Sequence, residues 1–143
     1  MRFMVQVRSN ETIESGAMPE PELLEAMSRF NQELIDAGMM IAGEGLHPSS
    51  KGARVSFAAG GPVVIDGPFA ETKELIAGFW IIKAKSLQEA VDWMRRAPMA
   101  PGDVLEIRQV FENEDFGDAL SPEIAAQEDA WREAALPARA ARG

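Results

Sequence analysis

The chain has 143 residues, 46% of them apolar, which suits a single domain with a buried core. It has no cysteine and one histidine, His47, which excludes disulfides, thiolate metal sites, cysteine nucleophiles and multi-histidine metal centres within one chain. A net charge of −9 would repel a phosphate backbone, and no apolar run approaches the roughly 20 residues that span a bilayer. The expectation is a cytoplasmic protein with no nucleic-acid or membrane partner, no metal and no cofactor.

Phe3, Val5 and Val7 alternate with Met4, Gln6 and Arg8, the pattern of a first strand. A polar stretch follows, from Ser9 to Gly16. Pro19 and Pro21, with Glu20 and Glu22, mark a helix start, because proline suits the first turn and carboxylates favour the positive end of the dipole. Leu23, Met27, Phe30 and Leu34 share one face, and Gly38 is a natural stop, so a helix is predicted over about residues 20–37. Met39 to Ala42 reads as a short strand ended by Gly43-Glu44-Gly45, and Leu46 to Gly52 as a loop. Val55 and Phe57, then Val63 to Ile65 across Gly60-Gly61, form a hairpin. After a break at Asp66-Gly67-Pro68-Phe69, Gly78 to Ala84 is a strand buried on both faces or at an interface. Ser86-Leu87-Gln88-Glu89 is a capping box opening a helix that Pro98 closes, and Leu105, Ile107 and Gln109 mark the last core strand.

The order β-α-β, hairpin, β-α-β predicts an α+β, ferredoxin-like sheet with two helices on one face. The other face is then bare. It carries Met4 and either Trp80/Ile82 or Phe79/Ile81, and an apolar sheet face of this kind predicts a two-fold homodimer. Beyond Phe111, Glu112, Glu114, Asp115 and Asp118 follow one another with no base between, as a solvated acidic loop or a docking surface for a basic partner. Ser121-Pro122-Glu123 opens a helix-compatible stretch, Ile124 to Ala135, that carries Trp131, and Pro137 onward reads as a frayed end. The domain division is therefore 1–111, with 112–143 an acidic linker and helical tail.

Chemistry-bearing residues cluster in Asp66-Gly67-Pro68-Phe69-Ala70-Glu71-Thr72-Lys73-Glu74. A carboxylate at a strand end, beside an aromatic ring and an ammonium, is a candidate for acid–base work. The same residues also read as turn chemistry, a core plug and a solvated ion pair. His47, in a Gly/Pro/Ser loop directly after a strand, is the second candidate, because imidazole is the side chain suited to moving protons near neutral pH. Ser49, Ser50 and Lys51 follow it and could hold an anionic group. No dinucleotide or P-loop fingerprint is present.

Asp66 to Glu74, followed by Gly78-Phe79, resembles the signature of the DGPF-type branch of the YCII-related family. Phe3-Met4-Val5, Gly45-Leu46-His47-Pro48 and Ser86-Leu87-Gln88-Glu89-Ala90 agree with it, and the resemblance covers about residues 1–111. It implies a dimeric α/β-barrel, ferredoxin-like fold and a small-molecule site, since a related member is a dehydrochlorinase of hydroxylated aromatics. In the wider family a His–Asp pair is the proposed centre, with its histidine near the first helix. The helix over 20–37 holds no histidine, so only Asp66 and its neighbours carry over, with His47 as a positional substitute. The resemblance thus implies a lyase- or hydrolase-type protein with Asp66 and His47 as catalytic candidates. Phe69, Glu71, Lys73, Glu74, Trp80 and Ser49 are the ligand-binding candidates. The alternative it implies is a non-catalytic dimeric accessory protein of an extracytoplasmic-function sigma factor system.

Overall fold

A computed structural model of the chain describes residues 1–140, with side chains through Ala135. The chain falls into two compact units, Met1–Val110 and Phe111–Gly143. The first contains β1 (Arg2–Arg8), α1 (Glu11–Glu14), α2 (Pro21–Asp36), β2 (Met40–Gly45), β3 (Ala53–Ala58), β4 (Gly61–Asp66), β5 (Ile76–Lys83), α3 (Leu87–Met94) and β6 (Leu105–Gln109). Single 3₁₀ turns lie at Ser49–Lys51 and Thr72–Glu74. β2, β5, β1 and β6 form one sheet in that order, every pair antiparallel, which is the ferredoxin-like arrangement. β3 and β4 pair only with each other.

Strand parity sets the core. Phe3 and Val5 of β1 stand opposite Ile82 and Trp80 of β5, and all four are buried against Phe30 and Leu34 of α2 and Ala90 and Met94 of α3. Of the two pairs open at the sequence level, Trp80/Ile82 therefore faces the helices. Phe79 and Ile81 lie opposite Gln6 and Met4 on the face turned away from α2 and α3. α3 opens as its sequence predicts, with Ser86 Oγ accepting from the Glu89 N–H at 3.1 Å, but the Glu89 carboxylate caps the Lys85 N–H rather than that of Ser86.

β2 differs from expectation, because the strand runs through Gly43-Glu44-Gly45 instead of ending there. Gly43 pairs with Trp80 and Gly45 with Gly78. A Cβ at Gly43 would come within 3.0 Å of the Trp80 ring, and one at Gly78 within 2.7 Å of the Glu44 carbonyl. These glycines let two backbones and an indole approach closely, where the sequence pattern suggests the end of the strand. Helix α1 was also missed inside the polar stretch. It is a single turn capped by Asn10, whose Oδ1 accepts from the Ile13 N–H at 2.9 Å.

In the second unit the acidic stretch is a 3₁₀ segment, Asn113–Ala119, broken at Gly117 (φ 54°), with the Phe111 and Phe116 rings stacked at 5.0 Å. α4 spans Pro122–Ala140, so it passes Pro137, where fraying was expected to begin. Proline removes one backbone donor there without ending the helix. The rest of the expected frayed end, 141–143, lies outside the described residues. No helix among the described residues is long and apolar enough to cross a membrane.

Candidate functional site

A largely apolar cavity of about 460 Å³ opens between the first half of α2 and the helix-facing side of the sheet. Leu23, Leu24 and Met27 of α2 form one wall, Ile13 and the 16–19 segment another, and the β2 glycines and Trp80 a third. Trp80 is 5% exposed and fixed at both ends. Its indole N–H donates to Asn31 Oδ1 at 2.9 Å, and its ring meets Phe30 edge-on at 6.0 Å. Asn31 also lines the cavity, so that bond satisfies the indole donor within the wall and leaves Trp80 to present apolar surface. His47 and Pro48, just past β2, line the cavity, and His47 is exposed to solvent.

The signature segment lies next to this cavity without lining it. Asp66 closes β4 opposite Ala53 and is exposed. The Gly67–Pro68 peptide is cis, and the Gly67 N–H donates to the Gly52 carbonyl at 3.0 Å. A Cβ on Gly67 would lie 1.8 Å from the Ser49 carbonyl oxygen, so only glycine fits. The Phe69 N–H donates to Ser49 Oγ at 3.0 Å, and that hydroxyl donates to Glu14 Oε2 at 2.5 Å. The Ser49 N–H lies 3.2 Å from both Glu14 oxygens. The half-buried Phe69 ring carries the Arg54 guanidinium 3.8 Å from its centroid.

Ser49 is thus the centre of a clasp that ties α1 to the signature loop. Its chain neighbours matter for the cavity: Pro48 and His47 precede Ser49, Ile13 precedes Glu14, and all three line the wall. Among the expected site residues, His47 and Trp80 meet at the cavity, Ser49 and Phe69 belong to the clasp, and Lys73 lies in a separate cleft with Thr72. Asp66, Glu71 and Glu74 are exposed and line neither. Among the described residues no group of acidic, histidine or cysteine side chains could hold a metal ion. Sequence reading missed Glu14, which nothing local singles out, and Asn31. Asn31 follows Met27 by one helical turn, so a polar residue on an apolar stripe was the signal.

Residues 1–114 match the YCII-related domain, and the chain belongs to that family. An uncharacterised protein of Rhizobium meliloti (strain 1021) is 33% identical over 97 residues, which is 66% of this chain and 78% of that protein. The solved structure of 5-chloro-2-hydroxyhydroquinone dehydrochlorinase from Burkholderia phenoliruptrix AC1100, in complex with 2,5-dihydroxybenzoquinone, aligns with a TM-score of 0.40 at 12% identity. It covers 80% of this chain and 98% of that one.

Proposed function

We propose that this YCII-related protein, of the DGPF-type branch, is a homodimer that binds a small, mainly apolar molecule in the cavity beside His47. The observation that supports this is the cavity itself. About 460 Å³ of apolar space, floored by a fixed indole and bordered by the single imidazole of the chain, is the usual makeup of a ligand site. His47 shares the cavity lining with the Glu44 and Asp103 carboxylates, and an imidazole with carboxylates suits an elimination or hydrolysis driven by proton transfer. Trp80 offers a flat apolar surface on which a planar ligand stacks. Ser49 and the Asp66–Phe69 loop act at one remove, by fixing the chain on which His47 sits.

The dimer reading rests on the sheet face turned away from α2 and α3, where Met4, Phe79 and Ile81 lie on adjacent strands. The accessory-protein reading draws on the second unit, which carries the acidic 3₁₀ segment together with exposed Phe111 and Trp131. The cavity favours the small-molecule reading.

Thermal-shift screening of hydroxylated aromatics and organic acids tests it, run in parallel on the wild type, His47→Ala and Asp66→Asn. A cavity ligand raises the melting temperature of wild type and Asp66→Asn alike, since Asp66 is not in the wall, and His47→Ala reduces the rise. A rise that Asp66→Asn removes and His47→Ala retains would place the site elsewhere.

A further inference from the structure

Thr72 and Lys73 of the signature segment are not used by the apolar cavity. They line a second cleft of about 560 Å³ with Arg8, Ser9, Asn10 and Glu11 at the end of β1, and with 102–104 before β6. Its charged groups fall into two kinds. Arg8 donates to Glu106 Oε1 at 2.7 Å and is charge-paired, while Asp103 accepts the Ala100 N–H at Oδ2, at 2.8 Å, and keeps its charge. The Lys73 ammonium and the Glu11 carboxylate have no hydrogen-bond or ion-pair partner among the described residues, and they do not pair with each other. Ser9 is 8% exposed, and its hydroxyl is buried with no partner. An unmatched buried hydroxyl is uncommon and calls for an explanation.

We infer that this cleft is a second binding site, for a small zwitterionic molecule whose carboxylate meets Lys73 and whose ammonium meets Glu11. With Arg8 paired to Glu106, the cleft offers the Lys73 ammonium on one hand and the Glu11 and Asp103 carboxylates on the other. A purely anionic ligand would leave Glu11 opposing it, and a purely cationic one would leave Lys73 doing so, whereas a zwitterion matches both. The cleft shares Arg8 and Asp103 with the apolar cavity but differs from it in ligand chemistry, and it gives the Thr72–Lys73 part of the signature a role.

Four probes on one five-carbon skeleton test this on the full chain: 2-aminopentanoate, 5-aminopentanoate, pentanoate and pentylamine, followed by amide and imidazole NMR. At least one of the two zwitterions should shift the Ser9, Thr72, Lys73 and Gly102 amides saturably and bind about tenfold more tightly than the singly charged probes. The His47 imidazole should stay in place. Lys73→Met should lower zwitterion affinity to that of pentylamine, and Glu11→Gln should lower it toward that of pentanoate. Both side chains are exposed, so neither replacement removes core packing. Equal affinity for all four probes, no shift of these amides with either zwitterion, or unchanged affinity in both variants would overturn the inference.

Discussion

Gly67 sits where the signature loop presses on the Ser49 carbonyl, and a methyl group there would occupy the same space. Gly67→Ala should therefore cost at least about 1–3 kcal/mol, the usual penalty for overpacking, and lower the melting temperature accordingly. Ser49→Ala removes the acceptor of the Phe69 N–H and a partner of Glu14 at once. It should cost about 1–3 kcal/mol in chemical denaturation and raise hydrogen exchange at Phe69. A Ser49→Ala variant as stable as wild type would show that the clasp holds nothing. Phe69 is half-buried, so Phe69→Ala should fall below the ~3–5 kcal/mol of a fully buried ring. The Asp-Gly-Pro-Phe run was legible as a distinctive motif, but its role was not. Chain spacing shows that Asp66 ends a strand; it does not show that the partner of the loop is Ser49, twenty residues away from Phe69.

At the scale of elements, alternation and capping made the four sheet strands and both packed helices readable, because burial on one face leaves a regular mark on sequence. The exceptions were backbone-driven. β2 carries glycines for close approach, and α1 is one turn held by the Asn10 cap, so neither shows a hydrophobic period. The β3–β4 hairpin was also readable, yet its surroundings were not. Val55, Phe57, Val63, Val64 and Ile65 are all exposed, with Phe57 83% accessible. A two-stranded ribbon with apolar residues of this kind is marginal alone in water and gains from being covered. On the homodimer reading, Phe57→Ser should weaken self-association in sedimentation equilibrium while leaving the far-ultraviolet spectrum unchanged. Undiminished association would exclude the hairpin from the interface.

For the whole molecule, the ferredoxin-like order follows from sequence because the β-α-β units repeat around the hairpin, and the strand order β2-β5-β1-β6 agrees with it. The assembly proposed on that sheet has a direct check. Ile81 faces away from the helices, opposite Met4, so Ile81→Lys should turn a dimer into a folded monomer in light scattering; a wild-type monomer at micromolar concentration would contradict the reading. The cavity was the least legible feature, since its walls come from α2, the 13–19 segment and three strands that no local pattern connects. Its single histidine offers the most direct measurement. The His47 imidazole resonances, unique in the chain, can be followed while hydroxylated aromatics are titrated into wild type and into Leu24→Trp, which fills the cavity from an exposed wall position. The account predicts a saturable shift in wild type that Leu24→Trp abolishes. Imidazole resonances that no probe moves, or that move equally in both proteins, would contradict it.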